Sequence, residues 1–186
     1  RETSGAQLPI VASAKAGKGV VVIGEPTTEA RDDGFLIDSH DGVLRIKSAG
    51  GKGAIYGVCT LLEQYLGMNY LAADCYTLTP SANVSIPEVH HAETPAFRYR
   101  QTQSYGCDDP VYYDWFRLAV PKEMFADNLW VHTFDRLMPA SVYGKRHPEY
   151  YSFINGERRP GNHSQWCLTN PEIFEIVAHR VDSIFK

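Results

Sequence analysis

The clearest hydrophobic pattern in the chain lies between Gly53 and Gly67, where apolar residues recur three and four positions apart. These residues are Ala54, Ile55, Val58, Leu61, Leu62, Tyr65 and Leu66. The spacing predicts an amphipathic helix, and Gly67 stands where a left-handed C-cap is expected. Gly57 lies on the same apolar face although glycine disfavours helices, which predicts a close approach between the helix backbone and a sheet.

Three shorter apolar segments before this helix have the length of β-strands. The continuous run from Val20 to Ile23 predicts a buried strand. The segments Gly34 to Asp38 and Val43 to Lys47 flank Ser39-His-Asp-Gly42, whose residues favour turns, so a hairpin is expected there. Together these elements predict a small sheet with a helix packed against it, ending near Pro87.

The polar segment from Glu88 to Pro95 predicts a linker between two domains, which would then span residues 1–88 and 95–186. After the linker, Phe97 to Gln103 is short and rich in aromatic residues, which is typical of a strand buried on both faces. Asn128 to Phe134 predicts a second strand. The pattern therefore changes from a small sheet domain to alternating strands and helices.

Two helices of the second domain are predicted from their capping signals. Asp109 is followed by proline and begins a helix reaching Ala119, and Asn170 is followed by proline and begins the final helix. Between these helices, residues 137–169 exceed the usual length of a connection, which invites a functional interpretation. Within this long segment, Asn155-Gly156 predicts the tip of a hairpin.

Composition narrows the classes of function. The chain has 186 residues, is 44% hydrophobic and 22% charged, and fits a globular protein of one or two domains. A formal net charge of −4 with scattered Lys and Arg argues against nucleic-acid binding. No apolar run approaches the roughly 20 residues that span a bilayer, so no membrane segment is expected.

The cysteines suggest neither a metal site nor a redox motif. Cys59, Cys75, Cys107 and Cys167 lack the spacing of zinc ligands or of a C-x-x-C motif. Free buried thiols are therefore expected.

Several motifs together resemble a known class of enzyme. The helix "G-x-x-Y-G-x-x-T-L-L-E" beginning at Gly53, the strand-like Tyr76-Thr-Leu-Thr and "P-x-F-x-x-R" beginning at Pro95 resemble the start of β-hexosaminidase-like and α-glucuronidase-like glycoside hydrolases. Closer still is the resemblance to a bacterial family of predicted glycoside hydrolases with the same N-terminal domain. That resemblance rests on Trp130-Val-His-Thr-Phe, His147-Pro-Glu-Tyr-Tyr and Gln165-Trp-Cys-Leu-Thr-Asn-Pro, and it spans nearly the whole chain.

The resemblance implies an α/β fold: an accessory domain with a small sheet and a packed helix, then the opening units of a TIM-type barrel. A complete barrel needs about 250 residues, whereas residues 95–186 hold two strand and helix units, so a truncated barrel is expected. The start at Arg1 is interpreted as a cut through a longer precursor. The implied function is glycoside hydrolysis of a complex polysaccharide or glycan, in the periplasm or outside the cell, with the catalytic carboxylates outside this chain.

The resemblance also indicates residues that bind substrate. Arg100 lies three residues after Phe97, the spacing at which hexosaminidase-like enzymes place an arginine that binds sugar hydroxyls. A forked guanidinium suits vicinal hydroxyls or a uronate, and the alternative is a structural pair with a nearby carboxylate. His132 lies in a W-x-H context at the predicted end of the second strand, where barrel active sites concentrate. A core histidine is the alternative for His132.

Further candidates surround these two. Trp130, Tyr105 and Trp166 offer flat surfaces for sugar stacking, although core packing is the simpler role for each aromatic residue taken singly. Asp135 closely follows the predicted second strand, and His163 belongs to the long loop, where it reaches a pocket only if that loop folds back. None of these residues is expected to be catalytic.

Two alternatives stay open. The chain could be a non-catalytic module that binds carbohydrate or serves as a scaffold, or a zinc hydrolase that uses its histidines. No cofactor or metal is expected, because adjacent His90 and His91 diverge on an extended segment and no third ligand stands at a known spacing. Self-association is expected through an open strand edge and the apolar stripe that ends in Ile184 and Phe185.

Overall fold

The computed structural model describes residues 4–13, 19–103, 108–161 and 164–186. The chain divides into two compact units, Arg1–Pro121 and Lys122–Lys186. Helices and small sheets are mixed along the chain, which confirms the α/β fold class.

The first unit contains a four-stranded sheet, a helix and a separate hairpin. Its elements are β1 (Val20–Pro26), β2 (Phe35–His40), β3 (Val43–Ser48), α1 (Gly53–Leu66), β4 (Met68–Ala72), β5 (Cys75–Leu78), β6 (Val89–Glu93) and α2 (Pro110–Trp115). The strand order is β1-β3-β2-β6, with β1 parallel to β3 and the other two pairs antiparallel. Strands β4 and β5 form the hairpin.

The β2–β3 hairpin and α1 form as predicted, and they build the main core. Alternate residues of the hairpin, among them Ile37 and its partner Ile46, pack against α1. Both isoleucines are fully buried. A Cβ at Gly57 would lie 2.5 Å from Ile46 Cγ2, which confirms that glycine is needed for close packing of α1 on the sheet. Gly67 ends α1 in the left-handed conformation, as predicted.

Two predictions about this sheet are wrong. The strand beginning at Val20 is not buried: it lies at a sheet edge, where Val21 and Ile23 are 41% and 57% exposed. The expected linker from Glu88 to Pro95 is also wrong, because Val89–Glu93 pairs with β2 as an edge strand. Polar residues are tolerated there, since the outward-facing side chains of an edge strand remain in contact with solvent.

The expected first barrel strand does not form within the described residues. Between Phe97 and Gln103, only Arg100 makes a strand-like pair, an isolated bridge with Ala119. Helix α2 does begin at Pro110 with Asp109 as its N-cap, but it ends at Trp115, four residues early. Shortly after that end, Arg117 adopts a left-handed backbone with φ 55°, which a continuing helix does not accommodate.

Apart from its 14-residue final helix, the second unit has short elements around a mostly aromatic core. Its helices and strands are α3 (Phe134–Leu137), α4 (Ala140–Tyr143), β7 (Phe153–Ile154), β8 (Glu157–Arg158) and α5 (Pro171–Ile184), with 3₁₀ turns at Lys122–Met124, Ala126–Asn128 and Pro148–Tyr150. The buried core consists of Met138, Tyr150, Tyr151, Trp166 and Ile173. The hairpin tip at Asn155-Gly156 and the final helix capped by Asn170 are confirmed.

The predicted second strand, Asn128 to Phe134, is wrong. Asn128 and His132 have φ angles of 57° and 53°, so the backbone turns twice into the left-handed region within the segment. A strand needs extended backbone throughout, and these angles exclude it. The strand propensity of Trp130, Val131 and Thr133 is therefore overridden by the local turns.

Among the described residues, no helix combines the length and the apolar composition needed to cross a membrane. Three described cysteines are free thiols, as expected, but only Cys59 is buried, and Cys75 is exposed. Burial raises the pKa of Cys59 to about 11. Cys107 lies outside the described residues.

Candidate functional site

One cavity of about 260 Å³ brings candidate residues of the second unit together. Two segments line it: His132 to Asp135, which leads into α3, and Ser164 with Gln165, which precede the final helix. The sequence marked His132 and Asp135 as candidates, and it predicted that the long loop, which contains Ser164 and Gln165, would reach a pocket only by folding back. The loop does fold back.

The first wall is shaped by a change in backbone direction at His132. Its left-handed φ of 53° turns the chain before α3, and the exposed imidazole lies on the cavity wall. The carbonyl oxygen of Thr133 then accepts hydrogen bonds from the backbone amides of Arg136 and Leu137, at 3.0 Å each, which starts the helix. Asp135 occupies the first turn of that helix, where a carboxylate is favoured.

The segment before His132 is fixed by two arginines. Arg136 donates from Nη1 to the carbonyl oxygen of Asp127 at 3.1 Å, and Arg180 Nη2 lies 3.4 Å from the Asp127 carboxylate. Asp127 itself has a left-handed φ of 49°. These contacts tie the start of the turn to α3 and α5, and so define where the following residues, including His132, can lie.

The second wall is held by backbone pairing. Ser152 donates to the carbonyl oxygen of Gln165 from its amide at 2.9 Å and from its hydroxyl at 2.8 Å. The Ser164 hydroxyl donates to the carbonyl oxygen of Arg159 at 2.5 Å, and a strand-like bridge joins Tyr151 to Trp166. Because its backbone is anchored, the exposed side chain of Gln165 is presented at a fixed place on the wall.

An aromatic pair joins the two walls. The rings of Phe134 and Trp166 stack with centroids 3.9 Å apart and an interplanar angle of 7°. Trp166 is only 8% exposed, so it supports Phe134 from the core, and Phe134 lines the cavity. Trp130 is 43% exposed and has Phe125 as its ring neighbour at 6.3 Å.

The charged lining is sparse. Asp135 is the one carboxylate and His132 the one imidazole among the described lining residues. Burial raises the pKa of the neighbouring Tyr151, and the Asp135 carboxylate adds to that shift. The cavity thus offers hydroxyl, amide, imidazole and carboxylate groups beside an aromatic ring.

Arg100 takes the structural role that the sequence left open as its alternative. In the first unit its Nε donates to the carbonyl oxygen of Arg117 at 2.5 Å, and Nη1 donates to that of Phe97 at 2.5 Å. Its Nη2 donates to the Asp33 carboxylate at 2.8 Å. A guanidinium whose three nitrogen atoms all bind protein groups holds this unit together and leaves little for a sugar.

Two candidates, Tyr105 and His163, lie outside the described residues. The cavity residues that the sequence analysis missed are Thr133, Phe134 and Ser164. For these three, the available signal was their position next to predicted site residues. No pattern of spacing distinguishes them from ordinary loop residues. The two walls are 29 or more positions apart in the sequence, and only the folding of the long loop brings them together.

One group in the first unit has the composition of a metal site. His40 Nε2 lies 3.2 Å from the Asp41 carboxylate, and His40 Nδ1 lies 3.5 Å from that of Glu88. One ligand atom from each of the three residues lies within 4.8 Å of the other two. All three side chains are exposed, which agrees with solvated ion pairs.

Comparison with known protein families places the chain in one family. The model of a domain of unknown function, DUF4838, matches residues 70–186. This match covers more than half of the 186 residues, and the chain belongs to the DUF4838 family. All cavity-lining residues fall inside the matched range. No curated protein and no solved structure matches the chain.

Proposed function

We propose that this chain is the sugar-binding part of a glycoside hydrolase that acts on a complex polysaccharide or glycan. The observation that supports the proposal most is the cavity of the second unit, where Phe134 stands on Trp166 beside polar side chains. A sugar ring has an apolar face of C–H groups and a rim of hydroxyls. An aromatic ring flanked by hydrogen-bonding groups complements both.

Each lining group has a distinct capacity. The Asp135 carboxylate only accepts hydrogen bonds, the Gln165 amide both donates and accepts, and the His132 imidazole does either according to its tautomer. A volume of about 260 Å³ lies just below the roughly 300–1,000 Å³ of sites for drug-sized ligands. A single sugar residue of a longer chain therefore suits the cavity better than an extended oligosaccharide.

Binding is proposed here, and catalysis is assigned to groups elsewhere in the enzyme. Glycoside hydrolysis generally uses two carboxyl groups that flank the bond to be cleaved. Among the described lining residues, Asp135 is the only carboxylate. The resemblance to hexosaminidase-like and glucuronidase-like enzymes supports the hydrolase context, including a periplasmic or extracellular location where polysaccharides are encountered.

A glycan array probed with the 186-residue protein tests the proposal. We expect retention on a defined subset of glycans and loss of that retention in His132→Gln and Gln165→Ala. His179→Gln is the matched control, because His179 is an exposed histidine of α5 in the same unit and does not line the cavity. Retention by all variants alike, or by none including the native sequence, contradicts a sugar site in this cavity.

The second candidate function is a non-catalytic carbohydrate-binding module, and the single carboxylate of the cavity favours it. The two functions share the binding step and differ in turnover. A hydrolase predicts cleavage of aryl glycosides by a longer protein that contains this sequence, and loss of cleavage in its His132→Gln variant. Glycan binding without cleavage of any glycoside by such a protein selects the binding module.

A further inference from the structure

The hairpin of β7 and β8 is joined directly to one wall of the cavity. Arg159, which follows β8, accepts a hydrogen bond at its carbonyl oxygen from the Ser164 hydroxyl at 2.5 Å. Ser152, which precedes β7, donates twice to the carbonyl oxygen of Gln165. Because Ser164 and Gln165 line the cavity, a carbohydrate chain that leaves the cavity along this wall reaches the hairpin.

Basic side chains are concentrated on this hairpin and on the segment beside it. A Cβ at Gly144 would lie 2.6 Å from the Pro160 Cβ, so the chain that follows α4 runs close to the end of the hairpin. Four exposed basic residues, which we call the basic surface, lie on these two segments: Lys145, Arg146, Arg158 and Arg159.

Arg158 is ordered before any ligand arrives. Its Nη1 donates to the carbonyl oxygen of Tyr151 at 2.8 Å, and its guanidinium lies 5.3 Å from the ring centre of Phe153, within the range of a cation–π contact. A planar guanidinium fork matches a carboxylate or a sulfate. Phe153 is 63% exposed, so it also offers an apolar ring to the C–H face of a sugar.

The basic surface keeps a positive charge in spite of two nearby carboxylates. The Glu149 carboxylate lies 3.0 Å from His147 Nδ1, and the Glu157 carboxylate lies 4.0 Å from Arg159 Nη2. Exposed contacts of this kind are weak and are screened by salt. Four cations against two carboxylates therefore attract anions locally, although the chain as a whole carries a formal charge of −4.

We infer that the basic surface binds the acidic groups of the same polysaccharide that places one residue in the cavity, so that the substrate class is an acidic polysaccharide. This inference rests on the proposed function. Uronate carboxylates and sulfate esters share the chemistry that a guanidinium fork recognises. A polymer gains from both sites at once, because the hairpin joins them. Lipid headgroups carry similar charges but present no chain of sugar rings to the cavity.

Calorimetric titration of the 186-residue protein with matched tetrasaccharides tests the inference. One pair is a galacturonic acid tetrasaccharide and its methyl ester, and the other is a sulfated galactan tetrasaccharide and its desulfated form. Neutral methyl glycosides of glucose, galactose and mannose test the cavity alone. We expect an acidic form to bind about tenfold or more tightly than its neutral form at low salt, since hydrogen bonds to charged groups are the stronger ones. Added salt should reduce the difference.

Variants make the inference specific. Arg159→Gln and Arg146→Gln should each remove most of the preference for the acidic form and leave binding of the neutral form unchanged. The backbone contacts of Arg159 with the cavity wall do not need its side chain. Glu157→Gln should strengthen binding of the acidic form, because it removes a carboxylate beside Arg159. Lys186→Gln removes the same charge after the end of α5 and is the control, which should leave the preference unchanged.

The outcomes separate the two proposals. A preference in either pair that both arginine variants remove supports the inference, and the pair that shows it identifies the acidic group. If acidic and neutral forms bind equally in both pairs, or if the preference survives both arginine variants, the inference is wrong although the cavity still binds neutral glycosides.

Two further results also contradict the inference. Equal affinity for anionic lipid vesicles or single-stranded DNA at physiological salt would assign the basic surface to polyanions in general. Binding of the acidic form that does not respond to His132→Gln would separate the basic surface from the cavity. If no saccharide binds and the glycan array is also negative, the proposed function fails and the inference fails with it.

Discussion

The two units of this chain solve the same packing problem with different means. The first unit uses strand alternation, which sends residues such as Ile37 and Ile46 to one side of a sheet where α1 covers them. The second unit fills its core mainly with Met138, two tyrosines and Trp166, carried by short elements. In the sheet, the side-chain direction follows from strand period. In the second unit, the side-chain direction depends on turns of the backbone. The cavity forms where those turns bring together polar residues that are distant in the sequence.

Left-handed backbone shows the same contrast. Among the described non-glycine residues, six of the eight with positive φ are Asp or Asn, which tolerate that conformation through local hydrogen bonding. The other two are Arg117 in the first unit and His132 in the second. Arg117 supports Arg100 through its carbonyl oxygen, whereas His132 lines the cavity. Backbone strain therefore supports internal packing in one unit and the presentation of a side chain in the other.

The largest expected effect comes from removing a core residue of either unit. Ile46→Ala should cost about 2–5 kcal/mol and Trp166→Ala about 3–5 kcal/mol, because each leaves a cavity in a separate core. Amide hydrogen exchange, measured residue by residue, should show each loss of protection confined to its own unit. Equal loss of protection in both units after either substitution contradicts the existence of two cores.

Replacing a glycine by alanine in each unit sharpens the comparison. Gly57→Ala should cost about 1–3 kcal/mol in the free energy of unfolding, since its Cβ would meet Ile46 Cγ2 at 2.5 Å and overpack the core. Gly156→Ala meets no atom within 4 Å, but its φ is 84°, so it should cost about 1–2 kcal/mol from backbone strain alone.

A second substitution separates the two causes. Ile46→Ala removes Cγ2, the atom that the new Cβ would meet, so Gly57→Ala should cost less in that background, whereas the cost of Gly156→Ala should be unchanged by it. Denaturant unfolding of the single and double variants measures this coupling. Additive costs in both pairs indicate that Gly57 is not limited by contact with Ile46.

Helices α2 and α5 begin with the same signal, and removing their caps compares them directly. Asn170 accepts a hydrogen bond from the Glu172 amide at 3.0 Å, so Asn170→Ala should cost about 1 kcal/mol. Asp109 accepts from the Val111 amide at 2.8 Å and also from the Tyr70 hydroxyl at 2.5 Å. Asp109→Ala should therefore cost more than Asn170→Ala, as measured by thermal unfolding.

Asp109→Asn is the control, because asparagine keeps the cap while weakening the contact with Tyr70. It should fall between the native protein and Asp109→Ala. The hydrogen bond from Tyr70 holds the pKa of Asp109 below its usual value, and the bond from the Val111 amide contributes. The advantage of aspartate over asparagine is present above the ordinary pKa of the carboxyl, so it should disappear as the pH falls through the lowered pKa. If the advantage of aspartate over asparagine persists in strong acid, it has a cause other than the ionised Asp109 carboxylate.

The smallest effect concerns His90 on the edge strand of the first unit. Its Nε2 lies 2.7 Å from the Glu29 carboxylate and its Nδ1 lies 3.3 Å from that of Asp38, which also faces Lys47 at 3.8 Å. Hydrogen bonding to Glu29, and then to Asp38, raises the pKa of His90. The histidine thus joins β6 to β2 and to the segment after β1, most strongly when it is protonated.

Because the pKa of His90 is raised in the folded protein, its contribution to stability is fully present below the ordinary histidine pKa of about 6.5. It is lost as the pH rises through the raised value. The stability of the native protein relative to His90→Gln should therefore decline between acidic and mildly alkaline pH. Denaturant unfolding across that range measures the decline, and a constant difference shows that the contacts do not depend on the charge of His90.

Sequence patterns predicted the regular parts of the fold well. The apolar spacing before Gly67 located α1, the turn residues between β2 and β3 located their hairpin, and the Asp-Pro and Asn-Pro pairs located the starts of α2 and α5. In each case the signal is local, because the residues that cap, turn or face the core stand within a few positions of one another.

The errors arose where non-local pairing or backbone turns decide the structure. The segment Val89–Glu93 is polar enough for a linker, but β2 offers it a strand edge. The segment around Trp130 has the propensity of a strand, but the left-handed residues Asn128 and His132 change the direction of its backbone. His132 then lies on the cavity wall. His132 and Asp135 were correctly singled out by position in the chain, although the strand that justified them is absent among the described residues.

The central claim is that the cavity between His132 and Gln165 binds a sugar, and amide chemical shifts of the full 186-residue chain test it most directly. Titration with the methyl glycosides should move the signals of residues 132–135 and 164–165 in a saturable manner. Signals around Arg100 should stay unchanged, since that guanidinium is held by protein groups. His132→Gln should weaken the response. Saturable shifts centred on Arg100, or no saturable shift at the cavity, would contradict the account.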